Sequence, residues 1–372
     1  MHLGKVMVVF GTRPEAIKMA PVIKELRKVT DIETVVVVTA QHREMLDQVL
    51  QLFGIVPDYD LDLMKEKQDL YSITTGVLTG LKEVMQREKP DLVLVHGDTT
   101  TTLAAALAAF YKMIPVGHVE AGLRTRRKYS PFPEEMNRTL TGRLADLHFA
   151  PTETARANLL AEGVAPFRIW VTGNTVIDAL YQTVKPDYRF TGELAELDFT
   201  RRIILVTTHR RENWGTKMRQ IYEALCDILE EFDDVDVVFP VHKNPVVRDV
   251  VEEVLEGRER VYLIEPLDYE PFAHLMAASH LVMTDSGGLQ EEAPSLGKPV
   301  LVLRNTTERP EAVEAGTVKL VGTDRRRIYE EAKRLLTDEE AYQKMARAVN
   351  PYGDGQAAPR IAKVVRDFLH NY

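Results

Sequence analysis

Short apolar runs alternate with helical patterns along the whole chain, and this alternation restricts the possible folds more than any other feature. Strand-length runs fall at 6–10, 34–39, 92–95, 116–119, 147–150 and 169–172, and again at 203–207, 235–240, 261–264, 281–284 and 299–303. Most are apolar throughout, as strands covered on both faces require. Strands separated by helices have to lie parallel, with the helices packed on both faces of the sheet. The pattern therefore predicts an α/β chain of two Rossmann-like, doubly wound parallel-sheet domains. The first spans 1–173 and the second 201–355. A boundary region at 174–200 contains Pro186 and Gly192. Two further helices are predicted near 339–349 and 356–369, and the C-terminal one, within 356–372, is placed to pack back on the first domain.

With 372 residues the chain is long enough for two domains. A net charge of −9 argues against general nucleic-acid binding. The single cysteine, Cys226, excludes an internal disulfide and a cysteine-based metal cage, and it suits a reducing cytoplasm. The N-terminus runs directly into the first strand and reads as no signal peptide. The longest apolar run, 103–111, is well short of the roughly 18 residues of a membrane helix.

In open parallel sheets ligands bind beyond the carboxyl ends of the strands, so the residues there are the candidates. Gly11-Thr12-Arg13-Pro14-Glu15 follows the first strand, with Pro14 suited to a helix start. Arg13 and Lys18 near that start oppose the helix dipole, which makes sense if an anion lies between them. Pro21 is expected to kink or end the helix. Asp98 and Glu120 follow two other strands and point to one crevice. Glu134 opens a helix after Pro131 and Pro133. In the second half, Thr284-Asp285-Ser286-Gly287-Gly288-Leu289-Gln290-Glu291-Glu292 reads as strand, tight turn and helix start, an arrangement that offers unpaired backbone N–H groups to a diphosphate. Glu291 and Glu292 are expected in the first helical turn, with Glu292 within reach of ribose hydroxyls. His209, beyond the strand at 203–207, is placed to face the interdomain cleft, the rival reading being a histidine satisfied in its loop. His96, His118, His209 and His242 lie at strand ends but lack the spacing of a metal motif, so no metal is expected. Asp58, Asp60 and Asp62 read as solvated loop charges. No Gly-x-Gly-x-x-Gly follows any strand, which disfavours a dinucleotide cofactor; no cofactor is expected.

Taken in order, Gly11-Thr12-Arg13-Pro14-Glu15-Ala16-Ile17-Lys18, Gly97-Asp98-Thr99, Glu120-Ala121-Gly122-Leu123-Arg124, Pro133-Glu134-Glu135, Thr208-His209-Arg210-Arg211-Glu212 and the stretch from Asp285 to Glu292 resemble the non-hydrolysing UDP-N-acetylglucosamine 2-epimerases of bacteria. The similarity covers nearly the whole chain. It implies the glycosyltransferase-B architecture, with an active site in the cleft between the domains. It also implies roles by position. UDP is held by Phe272, Ser286, Gly287, Gly288, Glu292 and Arg309, and Arg13 and Lys18 close on the nucleotide sugar. Asp98, Glu120, Glu134 and His209 match the catalytic positions, without a division of roles among the carboxylates. Gln41, His42, Arg210 and His242 match a second site at which many bacterial members bind UDP-N-acetylglucosamine as an activator. Glu44 and Lys67 stand here where some activated members carry Gln and Arg. The implied reaction interconverts UDP-N-acetylglucosamine and UDP-N-acetylmannosamine in the cytoplasm, by elimination of UDP to 2-acetamidoglucal and re-addition. A homodimer is implied by resemblance alone. The alternatives are a UDP-sugar-dependent glycosyltransferase of the same fold, which needs an acceptor groove, a hydrolysing 2-epimerase, and a nucleotide-sugar-binding regulator, which would lack the carboxylates.

Overall fold

The computed structural model describes residues 4–39, 43–63 and 69–371. It divides into two compact units, Met1–Gln182 with Tyr352–Tyr372, and Thr183–Pro351. The strands of the first are β1 (Gly4–Phe10), β2 (Ile32–Val38), β3 (Tyr59–Asp60), β4 (Leu92–His96), β5 (Val116–Val119), β6 (Leu147–Ala150) and β7 (Ile169–Val171). Its helices are α1 (Arg13–Lys28), α2 (Arg43–Phe53), α3 (Leu70–Glu88), α4 (Thr100–Tyr111), α5 (Glu134–Leu144), α6 (Glu153–Ala161) and α7 (Thr175–Thr183). The second unit holds β8 (Arg202–Thr207), β9 (Val235–Pro240), β10 (Val261–Ile264), β11 (Leu281–Thr284), β12 (Val300–Val302) and β13 (Val318–Leu320). Its helices are α8 (Thr216–Glu231), α9 (Pro245–Leu255), α10 (Tyr269–Ala278), α11 (Gly287–Glu292), α12 (Pro310–Glu314), α13 (Arg325–Thr337) and α14 (Glu339–Ala346). The last helix, α15 (Ala357–Asn371), packs on α1 and β1 of the first unit.

Both sheets are parallel in every described pairing. The first runs β3-β2-β1-β4-β5-β6-β7 and the second β10-β9-β8-β11-β12-β13. Both orders are doubly wound, and both reverse direction at a switch point, between β1 and β4 in one and between β8 and β11 in the other. In doubly wound sheets ligands bind beyond the carboxyl ends of the strands at such a switch point. The inner strands explain their sequence: Val6 to Phe10 in β1 are all fully buried, as are Leu92 to Val95 in β4. Burying one such side chain contributes about 1.5–3 kcal/mol, so a polar substitution in β1 would break the sheet at its centre.

Two expectations need correction. Pro21 does not end α1, which continues to Lys28. Ala16, Ile17, Met19, Ala20, Val22, Ile23 and Leu26 are buried along that helix, and this packing outweighs one missing backbone hydrogen bond. The aspartates at 58–62 are not all loop charges: Tyr59–Asp60 is an edge strand, and Asp58 Oδ2 accepts the Val36 N–H at 2.8 Å. The region at 174–200 includes α7, whose Asp178 accepts the backbone N–H groups of Ala357 and Ala358 at 3.2 and 2.8 Å.

Candidate active site

In the first unit the candidate groups come from the ends of β1, β4 and β5. The turn between β1 and α1 is set by Gly11: a Cβ there would lie 2.1 Å from Thr39 Oγ1 and 2.9 Å from Thr101 Oγ1. Only glycine lets this turn pack so closely. Glu15, almost fully buried, then ties two loops together. Its carboxylate accepts from the Gly11 and Thr12 N–H groups at 3.1 and 2.8 Å, and from the hydroxyls of Thr99 and Thr102 at 2.7 and 3.1 Å. Thr99 also caps α4. The turn that leads into α1, which bears Arg13 and Lys18, is thereby fixed against the loop bearing Asp98.

Lys18, Glu120 and Asn174 form the centre of this half. Glu120 Oε2 accepts from Lys18 Nζ and from Asn174 Nδ2, the latter at 3.0 Å. His96 Nε2 stands 3.7 Å from the same oxygen. Glu120 has φ +61°, a left-handed conformation that non-glycine residues adopt only where their surroundings hold them. Asp98 pairs with Arg138, and Asn137 Nδ2 donates to its backbone carbonyl at 2.9 Å. Burial pushes the Asp98 carboxyl up, with Glu120 adding to the rise and Arg138 opposing it. Glu134 opens α5 with its Oε2 buried and unpaired among the described residues. Next to it, Glu135 accepts from the Thr125 and Arg126 N–H groups at 2.7–3.1 Å and so orders the loop before α5. Arg13 makes no ion pair or hydrogen bond with the described residues.

In the second unit the groups gather beyond β8 and β11. Asp285, fully buried, accepts from the His209 N–H at 3.0 Å, the Arg210 N–H at 2.9 Å and Asn213 Nδ2 at 3.1 Å. His209 Nδ1 lies 3.1 Å from Asp285 Oδ1. Burial alone would raise the Asp285 carboxyl, but the His209 ring and the two N–H groups outweigh it and leave the carboxyl below its usual range. His209 thus has a partner at the end of β11. Its ring stacks on His242, with centroids 5.8 Å apart, and burial followed by the nearby His209 ring lowers the His242 pKa.

Ser286 is the N-cap of α11 and donates its N–H to Thr284 Oγ1 at 2.9 Å. A methyl group at Gly287 would stand 3.7 Å from Arg309 Cζ and 3.8 Å from Arg210 Nη2. Two guanidinium groups therefore flank this turn, Arg309 and the Arg210 that resemblance placed in a second site. Glu291 and Glu292 lie at the end of the six-residue α11, not in its first turn. Glu291 is buried against Arg309, and Glu292 Oε1 approaches the Gly288 Cβ direction at 3.6 Å. Phe272 lies half-buried on α10. Gln41 and His42 lie outside the described residues, as does Lys67.

Sequence reasoning missed Asn174, Arg304 and the role of Asp285. Arg304, 4% exposed, pairs with Glu212 at 2.7 Å and with Glu308 at 2.7 and 3.0 Å. It clamps the loop carrying His209 and Arg210 to the loop carrying Arg309. Asn174 was findable, since it follows the end of β7 just as Asp98 and Glu120 follow theirs. Among the described residues no group of three or more His, Cys, Asp or Glu side chains is placed to hold a metal ion. No helix there is long and apolar enough to cross a membrane.

The arrangement supplies clustered carboxylates with a lysine in one unit, and a guanidinium-flanked turn in the other. A family profile described as UDP-N-acetylglucosamine 2-epimerase matches residues 24–366. The UDP-N-acetylglucosamine 2-epimerase of Escherichia coli K12 is 60% identical over 371 residues, covering 98% of this chain and 98% of that protein. A crystal structure of a UDP-N-acetylglucosamine 2-epimerase from Listeria monocytogenes superposes with a TM-score of 0.94 at 55% identity, over 99% of this chain and 97% of that one. The UDP-GlcNAc 2-epimerase from Neisseria meningitidis, solved bound to UDP-GlcNAc, gives a TM-score of 0.85 at 52% identity, over 98% of this chain and 100% of that one.

Proposed function

The chain belongs to the UDP-N-acetylglucosamine 2-epimerase family, and from that premise we propose that it inverts C2 of UDP-N-acetylglucosamine by eliminating UDP and adding it back. The observation that carries this reading is the cluster of Asp98 and Glu120, at adjacent strand ends, with Lys18 of α1, and Glu134 supplying an unpaired buried carboxyl oxygen.

The C2 proton of this sugar is not acidic, since no carbonyl adjoins C2. Breaking the C1–O bond to UDP while C2 loses its proton gives 2-acetamidoglucal and UDP. Re-addition reverses both events, with the proton arriving on the other face of C2 and UDP oxygen re-forming the bond to C1. Departure of UDP needs cationic groups and N–H donors aimed at the diphosphate. Arg309, Arg210 and the Ser286-Gly287-Gly288 turn suit that task, with Arg13 and Lys18 contributing from their helix start. Glu292 takes the ribose and Phe272 lies beside the uracil. Positive charge growing at C1 needs a carboxylate, and proton transfer on two faces needs two acid–base groups. Asp98, Glu120 and Glu134 are the set from which these come. Burial that raises the Asp98 carboxyl suits a group that must both take and return a proton. His209, oriented by Asp285, donates to phosphate or to the leaving oxygen.

The same reading makes the protein a cytoplasmic homodimer that needs no cofactor. It also assigns a second UDP-N-acetylglucosamine, bound as activator, to Gln41, His42, Arg210 and His242, with Arg210 shared between that site and the diphosphate. Incubation with UDP-N-acetylglucosamine alone, without NAD or added metal, tests the proposal. Proton NMR should show the anomeric signal of UDP-N-acetylmannosamine. Free N-acetylmannosamine accumulating in its place would favour hydrolysis, and no product with or without extra nucleotide sugar would reject the assignment.

A further inference from the structure

His96 ends β4 and is 3% exposed. Neither of its ring nitrogens meets a hydrogen-bond partner among the described residues. A buried polar group left unpaired carries a desolvation cost, and such groups are uncommon enough to call for a reason. If His96 only filled space, an apolar side chain would do so without that cost.

The reason lies 3.7 Å away. His96 Nε2 points toward Glu120 Oε2 at a distance just outside hydrogen-bond range. That oxygen accepts from Lys18 Nζ, a cationic donor, and from Asn174 Nδ2. Glu120 therefore has a charged donor in contact and a neutral one waiting beside it. A small rotation of the carboxylate would exchange the first for the second.

We propose that His96 is a positioning residue for Glu120: when the diphosphate of the nucleotide draws Lys18 away, Glu120 turns onto His96 Nε2–H and is held there during proton transfer. The inference rests on the proposed function, which gives Lys18 to the nucleotide and Glu120 to the proton-handling set. Its chemical consequence concerns base strength. A lysine in contact favours the ionised carboxylate and makes it a weak base, whereas a neutral donor orients the carboxylate and leaves more of its basicity. The imidazole has to stay neutral to play this part. Three ionisable groups face it: Lys18 from α1, Glu120 from the end of β5 and His118 from within β5. Burial, partly offset by Glu120 and reinforced by Lys18, pulls His96 down to about 4. His118, likewise lowered by burial to about 3, contacts the Gly97 carbonyl through Nε2 at 2.7 Å and adds no charge near neutrality.

Three variants of the full-length protein separate positioning from packing. His96→Gln places an N–H near the reach of Nε2, His96→Asn places one near Nδ1, and His96→Leu fills the space with neither. Gln should keep kcat within about fivefold, while Leu and Asn lose at least about tenfold with KM changed by less than about threefold. Equal kcat in the Gln and Leu variants overturns the inference. Imidazole NMR of the 15N-histidine-labelled protein gives a readout independent of activity and of whether the variants fold. The His96 Nε2–H resonance should move downfield on adding UDP, and should appear already moved in Lys18→Met without UDP. No movement in either case overturns the exchange of partners. A protein that makes no epimer contradicts the functional reading, whereas an active protein with an unresponsive His96 contradicts this inference alone.

Discussion

His209 Nδ1 lies 3.1 Å from Asp285 Oδ1, and the same buried carboxylate holds the backbone N–H groups of His209 and Arg210. One side chain at the end of β11 therefore fixes both the ring and the main chain of the loop that leaves β8. Asp285→Ala would strand two part-buried N–H groups and free the histidine. A donor left without its acceptor costs about 1–3 kcal/mol, so denaturant unfolding of this variant should show a loss of at least that size. Asp285→Asn keeps the shape and should lose less stability, yet its turnover should fall because the ring is no longer held by a charge. An unchanged unfolding midpoint in the Ala variant would remove Asp285 from this role.

Four histidines among the described residues set a pH dependence of stability. His96, His118, His148 and His280 are lowered, chiefly by burial, to about 4, 3, 4 and 4. Each is neutral in the folded protein where the unfolded chain, titrating near 6.5, already binds a proton. Their stability contribution is thus complete above about pH 6.5 and is lost as pH falls towards 4, by up to about 1.4 kcal/mol per pH unit for each ring. Unfolding free energies measured from pH 7.5 to 5 should decline with roughly four protons taken up, and His148→Leu should lower that number by about one. A flat profile over this interval would contradict the neutral, buried state of these rings.

Gly287 offers a test of the anion site that spares the fold. A Cβ there meets only ordinary contacts, 3.7 Å to Arg309 and 3.8 Å to Arg210, so Gly287→Ala should change stability by no more than about 1 kcal/mol. The added methyl group would nevertheless occupy the space between two guanidinium groups where a phosphate is proposed to sit. Calorimetric titration should show UDP binding weakened at least about tenfold, a cost of about 1.4 kcal/mol. Unchanged affinity would place the diphosphate elsewhere.

The two sheets were legible because inner strands covered on both faces read as unbroken apolar runs, and β1, β4, β8 and β11 are of that kind. The edge strand β13 was not legible. Val318-Lys319-Leu320 is three residues long with a lysine at its centre, and only its pairing with β12 makes it a strand. Pro21 misled because its cost in α1 is local, whereas the burial that overrides it depends on the whole sheet beneath. In the site, position was informative and pairing was not. Asp98, Glu120 and His209 stand out as residues following strands. Arg304 with Glu212, Glu120 with Asn174, and Arg309 with Glu291 join segments distant in the chain, and nothing in the local sequence announces such partners.

In the proposed reaction C2 loses its proton and regains one on the opposite face, and Asp98 offers the most direct measurement of it. In deuterated water with UDP-N-acetylglucosamine, the wild-type protein should form UDP-N-acetylmannosamine carrying deuterium at C2, and recovered substrate should become deuterated as the step reverses. Asp98→Asn keeps the shape of the side chain but cannot bear charge or carry the exchanging proton, and should lose at least about a hundredfold in the rate of deuterium uptake. Proton NMR of the C2 and anomeric signals reads both results in one sample. UDP-N-acetylmannosamine formed with its C2 proton fully retained would contradict elimination and re-addition.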